Sequence, residues 1–181
     1  MALTAMGITK GIAGVEQREL TPRRDMRGSL TEMFRPDFLP FPLPQWNLFY
    51  SNANAMRGMR LHCHRTDYVV VIDATVLVGL HDLRADSVSV GASMLVELSA
   101  SNPRALVIPP GIVHGFYIPE RAIHTIGLSH SFDFGDDGLG CRWDDPQLGL
   151  AWPCTDPVLV ERDRTSGSLD ALRRDYLGSA K

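Results

Sequence analysis

The chain has 181 residues, 44% of them apolar and 22% charged, with a formal net charge of −3. That is enough sequence for one domain with a real hydrophobic core. The slight acidity argues against general nucleic-acid binding, and the apolar runs are too short and too often broken by Gly, Pro or charge to suggest a membrane span.

Residues 1–7 lack the charged start and long apolar core of a signal peptide. Residues 1–20 as a whole mix polar and apolar side chains, with weak strand character at 11–15. Asp25-Met26-Arg27-Gly28 reads as a turn, and residues 29–34 alternate as a strand. Pro36, Pro40, Pro42 and Pro44 exclude helix and central strand from 35–44. Residues 46–51 are aromatic-rich and strand-like. β-Branched runs at 68–72 and 76–80 flank a turn at Asp73-Ala74. Residues 82–86 read as a turn, 87–90 as a short alternating run and 93–98 as a further strand. A loop at 100–103, a strand at 105–108, a tight turn at 109–114 and strands at 115–118 and 122–128 complete the series. Only 168–177 reads as helix: Leu169, Leu172 and Tyr176 recur at helical spacing, Ser168 suits an N-cap and Gly178 a stop. Short strands separated by Gly and Pro predict an all-β barrel or sandwich in one domain, 1–181, with a short C-terminal helix. Cys63, Cys141 and Cys154 are odd in number with no C-x-x-C pair, which suits free thiols in a cytoplasmic setting.

The chemistry concentrates in Arg57-Gly-Met-Arg60-Leu-His62-Cys-His64-Arg65-Thr-Asp67. As one strand, this stretch puts Arg60, His62 and His64 on one face and Met59, Leu61 and Cys63 on the other. Ionisable groups on one face, with apolar groups behind them, form the pattern of a strand lining a polar cavity.

Several fragments then resemble one family in the same order. They are Asp25-x-Arg27-Gly28 with Glu32, Gln45-x-Asn47, Arg57-Gly58, Asp82-Leu-Arg84, Ile108-Pro-x-Gly-x-x-His114-Gly-Phe116, Trp143-Asp-Asp-Pro146 and Gly149-Leu-x-Trp-Pro153. Together they resemble the dTDP-4-dehydrorhamnose 3,5-epimerases, nucleotide-sugar epimerases with a cupin jelly-roll fold that act as homodimers. The resemblance implies that Arg27 and Glu32, partly from a neighbouring subunit, hold the thymidine part with Gln45 and Asn47. It implies that Arg57 holds the diphosphate and that His114 sits in the pocket. It further implies a histidine base shortly after the Arg-Gly pair, supported by Asp163, and a tyrosine acid on a later strand. Such a base removes the proton beside a keto group and leaves an enolate, which needs donors aimed at its oxygen. A carboxylate fixes the imidazole tautomer and raises its basicity, and an arginine fork suits a diphosphate. No metal or nicotinamide cofactor is needed.

The chain departs from that pattern at three places. The family histidine stands three residues after the arginine, where this chain has Arg60. The tyrosine falls at about Ile126, and a lysine expected just before the 68–72 strand is Asp67. A bulge at Gly58 would re-register the strand and bring His62 into the base role, with Arg60 and Arg57 binding phosphate or polarising the keto oxygen. Two other readings use the same residues. His62, His64, Asp67 and His114 resemble the two metal motifs of metal-binding cupins and would hold a divalent ion. A relative that binds nucleotide sugars without catalysis is the other. Tyr68 could replace the missing acid only if its strand were shifted. His124 and His130 read as structural, Trp143 and Trp152 as packing at the barrel end, and Cys63 as core. The N-terminal strands are the expected dimer contact.

Overall fold

The computed structural model describes residues 11–131 and 138–179, so the reading of residues 1–7 lies outside the described chain. The strands in order are β1 Glu16–Glu19, β2 Arg23–Asp25, β3 Gly28–Leu30, β4 Gln45–Ser51, β5 Ala55–Arg60, β6 Asp67–Asp73, β7 Thr75–Asp82, β8 Ser93–Ser99, β9 Arg104–Ile108, β10 Ile112–Ile118 and β11 Ala122–Leu128. A 3₁₀ turn, Pro146–Leu148, and two helices, α1 Glu161–Arg164 and α2 Leu169–Ser179, follow. One sheet has the order β1-β9-β6-β11-β4 and the other β5-β10-β7-β8, all antiparallel, with β2-β3 as a separate hairpin. This is the expected all-β jelly roll of the cupin class, with the short C-terminal helix.

The period of two decides what each strand buries. Val69, Val71, Val76, Val78, Leu80, Phe116, Ile118, Ile126 and Leu128 point between the two sheets and form the main core. Their neighbours on the opposite faces build two outer layers. Tyr68, Val70, Ala105 and Val107 pack with Leu39 and Leu43 from the proline-rich segment. Met59, Val113, Leu148, Leu169 and Leu172 form the other layer, with Trp143, Trp152 and Cys63 against it. Helix α2 therefore buries the face expected from its leucines. A β-carbon added at Gly79 would stand 2.6 Å from Trp152 Cη2 and 2.9 Å from Leu150 Cδ1, so a glycine lets this layer lie close on β7.

Several local expectations change. The weak strand at 11–15 forms instead at Glu16–Glu19, where it pairs with β9. The 29–34 strand is limited to Gly28–Leu30, because β3 pairs only with the short β2. Residues 87–90 are turns: Ser87 and Ser89 hydroxyls donate to Asp82 Oδ2 and fold the segment back. The tight turn ends earlier than expected, and His114 lies within β10. Gly178 does not stop α2, which runs to Ser179. Helix α1 has no sequence-level antecedent here.

Strand β5 carries the bulge. Arg57 pairs with Phe116, Gly58 with Gly115 and Arg60 with His114, so Met59 is the extra residue. Without it, Arg57 and Arg60 would face opposite ways; the insertion turns both toward the space between the sheets.

Candidate active site

Between the sheets lies a cavity of ≈ 550 Å³, lined by Arg57, Arg60, His62, Arg65, Asp67, His114, His124, Arg162 and Asp163 among others. Its apolar walls include Phe49, Phe116, Ile126 and Leu128.

The strand expected to carry Arg60, His62 and His64 ends at Arg60. The backbone then turns away, because Leu61 N–H donates to Leu139 O at 3.1 Å and Cys141 N–H to Met59 O at 3.2 Å. Gly140 passes so close that a β-carbon there would sit 2.5 Å from Arg60 Nη1. His62 reaches the cavity from the following loop, whereas His64 is exposed and outside the lining. The shared face for the three residues is therefore corrected.

The expected pairing of His62 with Asp163 is corrected too. The chain after the 3₁₀ turn runs alongside β5, Met56 N–H donating to Val158 O at 3.0 Å and Val158 N–H to Asn54 O at 2.7 Å. It delivers α1, whose Asp163 is buried rather than solvated. Asp163 Oδ1 accepts from Arg60 Nη2, and Oδ2 accepts from Gly58 N–H at 3.2 Å. The carboxylate thus meets a guanidinium at the position where the resemblance placed a histidine.

A different carboxylate holds the imidazoles. Asp67, the first residue of β6, has Oδ2 at 3.3 Å from His114 Nε2 and 3.6 Å from His62 Nε2. Its Oδ1 accepts from Arg65 Nε at 2.9 Å. Burial opposes its charge, yet contact with His114, His62 and Arg65 wins and holds its pKa below the usual carboxylate range. The other His114 nitrogen, Nδ1, faces Ile112 O at 3.0 Å. His62 Nε2 lies 2.5 Å from Arg65 Nη2, which can only donate, so His62 is the acceptor and carries its proton on Nδ1. Burial, then the nearby His114, pushes its pKa down to about 3, so the ring is neutral.

His62, Asp67 and His114 offer ligand atoms within 4.8 Å of one another, which is three of the four residues in the metal reading. His64 does not join them, and the Arg65 guanidinium already stands on Nε2 of His62 and on Asp67. A cation is thus built into the cluster.

The nucleotide-holding residues divide. Asn47 lines the cavity, and its Oδ1 accepts from Gln45 Nε2 at 3.1 Å. Arg27 and Glu32 are exposed and absent from the lining; Arg27 is turned onto Asp25 at 2.7 Å. Ile126 lines the cavity at the position of the expected tyrosine, and Tyr68 faces the outer layer, donating to Met33 O at 2.7 Å. His130 is exposed. His124, read as structural, is in the wall; only its two-residue spacing from Ile126 on one strand could have signalled it.

An antiparallel jelly roll with a basic, imidazole-lined space between its sheets is a cupin whose interior suits an anionic ligand. The comparisons make that specific. The sequence profile of the dTDP-4-dehydrorhamnose 3,5-epimerases matches residues 9–171. The chain belongs to that family, whose members are isomerases. It is 29% identical to the dTDP-4-dehydrorhamnose 3,5-epimerase of Escherichia coli, over 83% of this chain and 86% of that protein. It is 30% identical to the dTDP-4-dehydrorhamnose 3-epimerase of Streptomyces niveus, over 85% and 79%. The crystal structure of ChmJ, a 3'-monoepimerase from Streptomyces bikiniensis in complex with dTDP-quinovose, superposes with a TM-score of 0.83, 26% identity and coverage of 92% and 88%.

Proposed function

We propose that the cavity takes a dTDP-linked 4-keto-6-deoxysugar and exchanges the proton on a carbon beside its keto group, with His62 as the base. The observation that carries this is the charge of the lining. Among the described residues, the lining sets four guanidinium groups, Arg57, Arg60, Arg65 and Arg162, against two carboxylates, Asp67 and Asp163. That excess of positive charge between two apolar sheets suits a diphosphate.

In this reading the proton leaves carbon for Nε2 of His62 as Arg65 turns from that nitrogen to the substrate. The C–H electron pair passes to the keto oxygen, and the arginines stabilise the enolate. The imidazolium formed stands against Asp67, which takes the part first assigned to Asp163. A proton delivered from solvent water to the opposite face inverts the carbon, and the imidazolium of His62 gives its proton back to solvent. Arg57 takes the diphosphate, and Asn47 with Gln45 takes the nucleoside. A second copy of the chain, working in the cytoplasm, supplies Arg27 and Glu32. The exposed Met26 and Leu30 of the β2-β3 hairpin and Trp46, Leu48 and Tyr50 on the edge strand β4 support that dimer.

Deuterium incorporation from D2O into dTDP-4-keto-6-deoxyglucose tests the reading. The expected result is incorporation by the wild type and none by His62→Ala, with dTDP binding retained. Full exchange in His62→Ala removes the base assignment. No exchange in a wild type that binds dTDP leaves a non-catalytic relative. The ligand-atom cluster at Asp67 favours a metal as the second reading; exchange that persists after exhaustive chelation argues against it, and a chelator-sensitive rate argues for it.

A further inference from the structure

The cavity has a second imidazole that the proton transfer does not use. His124 lies on β11 and is fully buried, and among the described residues neither of its ring nitrogens has a hydrogen-bond partner. Its ring is stacked on Phe49 at 4.8 Å with an interplanar angle of 2°, and Phe116 lies 5.6 Å away at 26° on the inner face of the opposite sheet. A neutral imidazole carries one N–H and one lone pair, and leaving both unmet in a protein interior costs free energy. His124 is among the residues that line the cavity, and the aromatic contacts fix its ring plane.

The register says which part of a ligand it meets. His124 pairs with Val71 on β6, whereas Leu128 pairs with Asp67. Four residues of strand separate the two levels, about 13 Å at roughly 3.3 Å per residue. That is too far for His124 to act on the carbon served by a base that touches Asp67. At its own level stands Arg57, whose guanidinium carbon lies 5.3 Å from the Phe49 ring centroid and whose Nε donates to Ser51 Oγ at 3.0 Å. Burial, followed by the Arg57 charge, pushes the His124 pKa down to about 4 and keeps the ring neutral.

We propose that His124 is a substrate-binding residue that donates a ring N–H to a phosphoryl oxygen of the diphosphate held by Arg57. This rests on the reading of Arg57 above, and it adds a second donor at the end of the cavity away from the Asp67 cluster. The donor is neutral, so it orients the phosphate without adding to the positive charge around it.

The test is His124→Phe, which keeps an aromatic ring between Phe49 and Phe116 and removes both nitrogens. Binding of dTDP and of inorganic pyrophosphate is measured by calorimetry beside thermal melting. The expected result is affinity lowered roughly tenfold for both probes, the size of a lost hydrogen bond to a charged group, with a melting temperature equal to or above the wild type. A merely structural histidine would lower the melting temperature and leave affinity alone. Wild-type affinity in His124→Phe for both probes overturns the proposal while the parent reading stands. A wild type that binds neither probe overturns the parent reading.

Discussion

Replacing Asp163 by Asn removes one charge from the ion pair that the bulge in β5 and helix α1 bring together. The Arg60 and Asp163 side chains are only 10% and 3% exposed. Breaking such a pair from one side leaves a buried charge without its counter-ion and costs about 3–5 kcal/mol. The lower end applies, because Asn keeps an oxygen for the Gly58 N–H that now donates to Asp163 at 3.2 Å. Arg162, 3.7 Å from the carboxylate and 55% exposed, adds little. For a chain of this size about 3 kcal/mol lowers the melting temperature by roughly 6–12 °C. Urea titration of Asp163→Asn, beside Asp144→Asn as a control, measures it. Asp144 meets Arg142 at 2.7 Å with both side chains about half exposed, so its loss costs at most about 1 kcal/mol. The double variant Arg60→Met with Asp163→Leu is expected to recover most of the loss, since a packed apolar pair replaces the charges. An Asp163→Asn protein within about 1 kcal/mol of wild type, or a double variant no better than the single one, would refute the reasoning.

Acid sensitivity follows from the two neutral histidines. His62 and His124 titrate at about 3 and about 4 in the fold, against an ordinary 6.5. Between those values the unfolded chain binds protons that the folded one refuses, so stability is fully present above 6.5 and falls as the pH drops. One such group contributes up to about 1.4 kcal/mol per pH unit. Urea midpoints measured across that range should therefore decline less steeply in His124→Phe than in the wild type; equal slopes would count against a buried neutral ring. At Gly79, alanine is expected to cost about 1–3 kcal/mol by pressing on Trp152 and Leu150. Gly138→Ala, where an added β-carbon meets nothing within 4 Å among the described residues, should stay within about 0.5 kcal/mol by the same thermal melts.

The strand series was legible because burial on both faces leaves short β-branched, apolar runs at Tyr68–Val71, Val76–Leu80 and Ile123–Leu128 between turn residues, and the leucines of α2 repeat at helical spacing. The ordered motifs around Arg27, Asn47, Arg57 and His114 carried the family, which the comparisons bear out. Other features depend on distance in space rather than in sequence. Periodicity gives no sign that Met59 is an extra residue, since a bulge is defined only against the partner strand, here His114 and Gly115. Nor can it say which carboxylate an imidazole meets: Asp163 is brought to Arg60 across 103 residues, while Asp67 turns inward as the first residue of β6. Residue types and their alternation determined an all-β barrel or sandwich, and the resemblance carried by the ordered motifs implied a jelly roll with arginines and histidines inside it. Only the closure of one sheet on the other decided the partners, because a charge taken out of water pairs with whatever opposite charge the packing puts within reach.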